Sequence, residues 1–458
     1  MTAVLDPDLA ALADVRAQVA ATKAAFDAID GAGQDFLDEI VRAMAKAGYA
    51  ASEELARLAA EETGYGVFED KIIKNRFNTG FVADWMLERR AVGVLWADEA
   101  NKVTAIGSPM GLIAAIIPVT NPTATVLFKS LAAVKAGNAV VHAPHPRAAR
   151  CSIRAAEIMA EAAVKAGAPE HLVSCLHQPT LAATQELMSH RDVRLVLATG
   201  GPAMVAAAYS SGKPTIAVGA GNVPAYVDRT APDLAEVATM LVSSKSFDNG
   251  TACVAEQSVV VDAPVADRLV DEMTRNGVAW LTPEAQSALA RTIFDERGGL
   301  RPDAVGQTAS KLAELSGFSV PHGTKVLGAE LTAVGPDIPL SREILGPVLT
   351  VYREADSAAG WRRCREILAL GGEGHTVAIH ATDSAVIAKF SELPAGRIIV
   401  NSPALFGGMG YSCNVDPSFQ LGTGTWSGSI CSDNVTPLHL VNIKRVAHLA
   451  RPWRGVYE

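Results

Sequence analysis

At 458 residues the chain is long enough for two or three domains with large cores. Hydrophobic residues make up 49% of it and charged residues 19%, the balance of a soluble, well-packed α/β protein. Its formal charge of −9, with no dense Lys/Arg patch, argues against nucleic acid and against an anionic membrane as partners.

Residues 1–20 carry Asp6, Asp8 and Asp14 where an export signal needs a basic start and an apolar run. Residues 7–92 read as amphipathic helices, with apolar positions at helical spacing through Leu9, Leu12, Val15 and Val19, then Phe36, Ile40 and Met44. That pattern is packing, and no chemistry is assigned to it. Residues 94–106 alternate loosely, as an extended hairpin does, and are a candidate arm for pairing with another subunit.

From Gly111 the pattern changes to strand–helix units. Residues 112–118, 139–142, 172–176, 193–198 and 215–218 read as strands, and 122–135, 146–165, 181–189 and 202–212 as helices. The apolar run 111–119 is too short to span a bilayer. Apolar strands alternating with helices predict a parallel sheet covered on both faces. Such a sheet binds ligands at the carboxyl ends of its strands.

Two features fall at those ends. Thr199-Gly200-Gly201 opens a helix, where free N–H groups favour phosphate, although an ordinary strand-to-helix turn has the same spacing. Gly219-Ala-Gly221-Asn222 is a flexible turn after the last strand. No G-x-G-x-x-G fingerprint occurs. Asn121 before Pro122 reads as a helix cap.

A second α/β series runs from 231 to about 400, with strands at 259–261, 348–352, 377–380 and 398–400 and helices at 264–276, 283–297 and 361–370. No Pro/Ser-rich linker separates the two series, so they are expected to pack around a shared cleft. The Gly/Ser-rich run 407–432 is loop-like, either lining that cleft or packing on the surface.

Six cysteines, at 151, 175, 253, 364, 413 and 431, show neither CxxC nor His/Cys spacing. Neither a metal site nor a disulfide framework is signalled, which fits a reducing cytoplasm. Cys253 differs from the others in its setting. A helix-like run over 231–246 ends at Asp248-Asn249-Gly250, and a strand follows at 259, so the thiol sits on a short loop. A loop thiol can act as a nucleophile with backbone N–H groups facing the atom it attacks. The commoner state of a free cysteine is a small buried hydrophobe, and the residues alone leave both readings open.

Five stretches in register carry a resemblance over essentially the whole chain. They are Ile117-Pro-Val-Thr-Asn121-Pro-Thr, Phe247-Asp-Asn-Gly-Thr-Ala-Cys253-Val-Ala-Glu-Gln-Ser, Glu343-Ile-Leu-Gly-Pro347, Gly374-His375-Thr376, and Leu421-Gly-Thr-Gly-Thr-Trp-Ser-Gly with Asn434 and His439-Leu-Val-Asn-Ile. Together they resemble the CoA-acylating branch of the aldehyde dehydrogenase superfamily. That branch includes acylating succinate-semialdehyde, sulfoacetaldehyde and propionaldehyde dehydrogenases and the aldehyde dehydrogenase half of bifunctional aldehyde/alcohol dehydrogenases.

The resemblance implies an α/β fold with a Rossmann-type parallel-sheet cofactor domain over 1–230 (less an arm at 94–110). A catalytic domain over 231–419 follows, then an oligomerisation arm and C-terminal segment over 420–458, in a homodimer or homotetramer. It makes Cys253 the nucleophile, with the Asn121 amide and the Cys253 backbone N–H holding the oxyanion. Thr120, Thr199, Gly200, Gly201 and Gly219 would hold NAD or NADP, with Glu343 on the nicotinamide ribose. Coenzyme A is the implied co-substrate. His375 matches a position suspected of acid–base work or thiol positioning, and a hydrogen-bonded structural imidazole is the alternative.

Two departures from the hydrolytic branch matter. Hydrolytic members carry a water-activating glutamate near the position of Val218-Gly219, and here no carboxylate lies between Gly212 and Val227. Without that base a thiol can displace water as the second nucleophile. Residues 140–144 offer neither Lys nor Glu for the adenosine ribose, so NAD and NADP are not separated. No metal-dependent alcohol dehydrogenase segment follows, so a monofunctional enzyme is expected. The rival readings are a hydrolytic dehydrogenase giving the free acid and a non-catalytic microcompartment or scaffold component. Residues 404–419, with Phe406, Met409, Tyr411 and Cys413, are expected to shape the acyl pocket, and Arg397 or Lys213 would supply the cation that an acidic aldehyde needs.

Overall fold

A computed structural model describes residues 7–454; Asp6, cited above against an export signal, lies outside them. Helices Pro7–Ile29, Gln34–Ala50, Ser52–Thr63, Phe68–Phe77 and Ala83–Leu87 open the fold, the last two joined by a π-helical turn at Asn78–Val82. Their apolar stripes face inward, and Leu37, Ile40, Val41 and Met44 are wholly buried. Each such side chain contributes about 1.5–3 kcal/mol of transfer free energy.

The expected hairpin is present as β1 (Gly93–Asp98) and β2 (Val103–Pro109), paired antiparallel. Next come β3 (Leu112–Ile116), β4 (Ala139–Ala143), β5 (Val173–Cys175), β6 (Val193–Thr199) and β7 (Thr215–Val218). They form a parallel five-stranded sheet in the order β5-β4-β3-β6-β7. Every residue of β3 and β4 is buried, because helices cover both faces of the sheet. The order reverses between β3 and β6, which opens a crevice at the carboxyl ends of those strands. Thr120-Asn121 follows β3, and Thr199 closes β6.

A second parallel sheet holds β8 (Val223–Val227), β9 (Glu256–Asp262), β10 (Val278–Trp280), β11 (Val326–Glu330), β12 (Val348–Glu354), β13 (Gly374–His380) and β14 (Ala395–Val400). Their order is β10-β11-β12-β9-β8-β13-β14. β15 (Val441–Ala447) returns to pair antiparallel with β2, completing a three-stranded arm.

The boundary expected at residue 230 moves. β8 pairs with β9 and β13, so the sheets part at the turn 219–222, and β8 belongs with the second sheet. Pro224 hides this strand in the sequence, since proline is rare in central strands, and the register shifts at that residue. The C-terminal arm is also narrower than expected. Gln420 Nε2 donates to Ala198 O at 3.2 Å and Ile216 O at 3.1 Å, and Asn434 Nδ2 to Gly408 O at 2.9 Å. Residues 420–440 therefore bridge the two sheets, and β15 alone of this segment joins the arm. No helix among the described residues is long and apolar enough to cross a membrane.

Candidate active site

The helix Leu234–Ser246 is capped at its start by the Asp233 carboxylate and ends just before an unusual loop. Asp248, Asn249 and Gly250 all have positive φ, at 48°, 51° and 66°. For the two non-glycine residues this conformation costs roughly 1–2 kcal/mol each. Side-chain bonds offset that cost. The Asp248 carboxylate accepts from Val67 N at 2.6 Å, Lys74 Nζ at 2.5 Å, Lys71 Nζ at 3.1 Å and Thr251 Oγ1 at 2.8 Å, while Asn249 Nδ2 donates to Gly306 O at 2.9 Å. Burial works against the Asp248 anion, and Lys74 and Lys71 outweigh it, holding the carboxyl below its ordinary range. The loop so fixed delivers Cys253, part-exposed, ahead of β9.

One side chain touches that thiol directly, and a second is bonded to its loop. His375, wholly buried on β13, puts Nε2 3.3 Å from Cys253 Sγ. Asn121 enters from the end of β3, with Nδ2 donating to Thr251 O at 3.2 Å and to Thr120 Oγ1 at 3.2 Å. Lys74 Nζ lies 2.6 Å from Asn121 Oδ1, and an ammonium only donates, so the amide is held with its oxygen inward and its NH2 toward the Cys253 loop. The expected helix cap is not made: Asn121 forms no side-chain bond to the first turn of Pro122–Lys135, because its amide is engaged across the cleft. Burial pushes the Cys253 thiol up to about 12, Glu343 adds to the rise, and Arg397 and Lys74 oppose it. Burial, then Arg397, brings His375 down to about 3.

The turn 219–222 closes over the same point. Gly221 N donates to Glu343 Oε1 at 2.7 Å, and a Cβ at Gly221 would meet Cys253 O at 2.2 Å and His375 Cδ2 at 3.1 Å. Burial raises Glu343 to about 7, opposed by the Gly221 N–H and Lys245, and burial lowers Lys245 to about 8. Thus Thr120, Asn121, Gly221, Cys253, Glu343 and His375 converge.

Thr199, Gly200 and Gly201 sit apart, at the end of β6. Thr199 Oγ1 is 3.3 Å from Gln420 Oε1, and Gly200 N donates to Val218 O at 3.3 Å. Gly201 starts the helix Pro202–Tyr209 with no side-chain cap and nothing within 4 Å of a Cβ, while one at Gly219 would meet only Val205 Cγ2 at 3.7 Å. Open space over uncapped N–H groups, with Glu343 bonded through one oxygen, fits a dinucleotide with its phosphates at Gly201 and its nicotinamide ribose at Glu343.

Arg397 is not available to a substrate. It is 4% exposed and spends its donors on Thr376, His375 O, Gly422 O, Ser432 O and Asn434. Lys213 precedes β7, at the amino end of the sheet, and its Nζ bonds Arg191 O at 3.4 Å. Of the segment expected to shape the pocket, Phe406 packs edge-on against Phe247 at 5.6 Å in a cluster with Val254, Leu405 and Met409. Tyr411 turns outward, 5.4 Å from Phe81 and 6.4 Å from Phe77. Lys74, Phe77 and Phe81 all come from a region read as packing alone.

Cys431, Asp433 and His439 bring a thiol, a carboxylate and an imidazole within 4.8 Å of one another. The ring is already used: Nδ1 accepts from Thr436 N at 3.0 Å and Nε2 faces Asp433 at 3.3 Å, capping the turn Pro437–Leu440.

Two parallel sheets meeting at a cysteine, an amide and an imidazole define the class: an α/β protein with a thiol-centred site beside an open crevice at the carboxyl ends of the first sheet. The chain belongs to the aldehyde dehydrogenase family, whose model matches residues 2–286. It is 42% identical over 423 residues to the bifunctional aldehyde-alcohol dehydrogenase AdhE of Escherichia coli K12, covering 91% of this chain and 47% of that protein. The chain thus spans about half the length of that relative. It is 32% identical over 427 residues to the succinate-semialdehyde dehydrogenase (acetylating) of Clostridium kluyveri, covering 93% of this chain and 94% of the relative. The crystal structure of an acetylating aldehyde dehydrogenase from Geobacillus thermoglucosidasius superposes with a TM-score of 0.96 at 44% identity, covering 98% of this chain and 99% of that one.

Proposed function

We propose that this chain is a CoA-acylating aldehyde dehydrogenase: aldehyde + CoA + NAD(P)+ ⇌ acyl-CoA + NAD(P)H + H+. The observation that carries the reading is the Cys253 thiol, 3.3 Å from His375 Nε2, on a loop whose Thr251 O accepts from the Asn121 amide. The Cys253 thiolate attacks the aldehyde carbon, forming a C–S bond and moving the carbonyl π electrons onto oxygen. The Cys253 backbone N–H holds that oxyanion together with an Asn121 Nδ2–H, which exchanges its 3.2 Å contact with Thr120 Oγ1 for the charged oxygen. Bound nicotinamide supplies the hydride acceptor that leaves an acyl thioester on Cys253. Gly201, Gly219 and Glu343 orient it. CoA thiolate then attacks the thioester carbon, and the Cys253 thiolate leaves.

Acyl transfer is favoured over hydrolysis by two points. Residues 212–227 hold no carboxylate to activate water, and Glu343 is tied to Gly221 N. The names of the Clostridium and Geobacillus relatives also say acetylating. The apolar cluster of Phe247, Phe406 and Val254 beside the Cys253 loop, with Arg397 fully engaged, favours a short apolar aldehyde over an acidic one. Exposed Trp96, Ile443 and Val446 on the arm support a homo-oligomer, and six free cysteines support a cytoplasmic setting.

The deciding experiment measures NADH and NADPH formation from acetaldehyde, propionaldehyde, succinate semialdehyde and sulfoacetaldehyde, each with and without CoA. Turnover that requires CoA is the expected result. Equal turnover without CoA hands the reading to a hydrolytic dehydrogenase, and full activity of Cys253→Ala rejects both.

A further inference from the structure

The hydrogen bonds around His375 have a direction that donor counting fixes. Thr376 on β13 pairs with Arg397 on β14. A guanidinium only donates, so Thr376 Oγ1, 3.1 Å from Arg397 Nε, is an acceptor there. The other Arg397 nitrogens donate to His375 O at 2.8 Å, Gly422 O at 2.6 Å, Asn434 Oδ1 at 3.0 Å and Ser432 O at 3.5 Å. The Thr376 hydroxyl proton then has His375 Nδ1, at 3.0 Å, as its acceptor. If Nδ1 donated to Oγ1 instead, the hydroxyl proton of a wholly buried threonine would have no partner, and an unsatisfied buried donor is costly. With its Nδ1 lone pair engaged, the neutral imidazole carries its proton on Nε2, the nitrogen that faces Cys253 Sγ at 3.3 Å.

We infer that Thr376 and Arg397 are positioning residues that set the chain Arg397 → Thr376 → His375 → Cys253, making His375 an N–H donor to the Cys253 thiolate and not a base for its thiol. The inference rests on the proposed reading of Cys253 as nucleophile. Arg397 has no carboxylate among its partners, and its cation opposes protonation of the ring, in line with the low position of His375 near 3. A neutral ring stabilises the sulfur anion twice: before attack on the aldehyde, and when CoA displaces it from the thioester. The part-exposed Cys253 thiol and the CoA thiol each lose their proton to solvent before attack, so no proton passes through the imidazole in either step.

The test is the pH dependence of Cys253 alkylation by iodoacetamide in the full chain, followed on its own peptide by mass spectrometry because five other cysteines are present. The other groups that act on the thiol, Glu343, Arg397 and Lys74, are common to all samples. Thr376→Val should raise the alkylation midpoint by about one pH unit, the size of a modest hydrogen bond. It should also lower kcat more than it raises KM, and Thr376→Ser should restore both. An unchanged or lowered midpoint in Thr376→Val overturns the inference. If Thr376→Val does not fold, 15N spectra of histidine-labelled wild-type protein, assigned by difference from His375→Gln, decide the tautomer. A protonated Nε2 supports the chain, and a protonated Nδ1 overturns it. Alkylation of Cys253 that leaves turnover intact sinks the nucleophile reading, while the midpoints still decide the direction of the chain.

Discussion

Gly221→Ala is a one-methyl perturbation whose consequence follows from the packing of the turn on the nucleophile loop. The added Cβ would lie 2.2 Å from Cys253 O and 3.1 Å from its carbonyl carbon. Real Cβ atoms essentially never come within 3.0 Å of a heavy atom, so the gap must open by at least 0.8 Å (3.0 − 2.2). The obstacle is backbone, and no rotamer change relieves it. Glu343 holds Gly221 from the other side through its N–H. Cys253 must therefore move relative to Asn121 and His375. A misplacement near 1 Å lowers a rate by about 100-fold, and overpacking of this kind destabilises by about 1–3 kcal/mol. We expect kcat to fall by about that factor while the variant remains folded, measured by NAD(P)H formation alongside thermal unfolding. Gly371→Ala, where a Cβ meets nothing within 4 Å, is the control. A Gly221→Ala enzyme with kcat within about threefold of wild type refutes the steric argument, because a shift of that size should not be silent.

Three further outcomes are expected. Asn121→Ala should lower kcat by about 10²–10³ with little change in KM, and a loss confined to KM would remove the oxyanion role. Lys74→Met breaks a buried pair with Asp248 and loosens the left-handed loop. Its urea unfolding should show a loss approaching about 3–5 kcal/mol, moderated by Lys71, and an unchanged midpoint would contradict the network. His375 sits near 3 in the fold, below its ordinary value of 6.5, so its contribution to stability is present above 6.5 and is lost as pH falls toward 3. His375→Gln should therefore lose less stability than wild type over that window; His142 and His380, also lowered by burial, remain in both proteins and cancel.

The sequence by itself determined the strand–helix alternation from Gly111 onward, the hairpin at residue 94 and the loop setting of Cys253. Each of these is written in neighbouring residues, as apolar runs, helix breakers or turn residues, and local pattern reports local structure. Aligned motifs brought Asn121, Glu343 and His375 into one site although they are far apart in the chain. Pattern misled at Pro224, which masks a central strand, and at Asn121, whose cap-like position before proline conceals an amide turned across the cleft.

Only the tertiary structure decided what holds that site together. Lys71 and Lys74 lie on a helix that reads as an ordinary charged face, yet the fold buries Lys74 against Asp248, 174 residues away. Arg397, named beside Lys213 as a cation for the case of an acidic aldehyde, is consumed by carbonyls, by Asn434 and by the threonine beside His375. The reason is physical: hydrophobic periodicity says which face of an element is buried, while the partner of a buried charge is set by the packing of distant elements. In this protein those partners fix the amide, the imidazole and the thiol relative to one another.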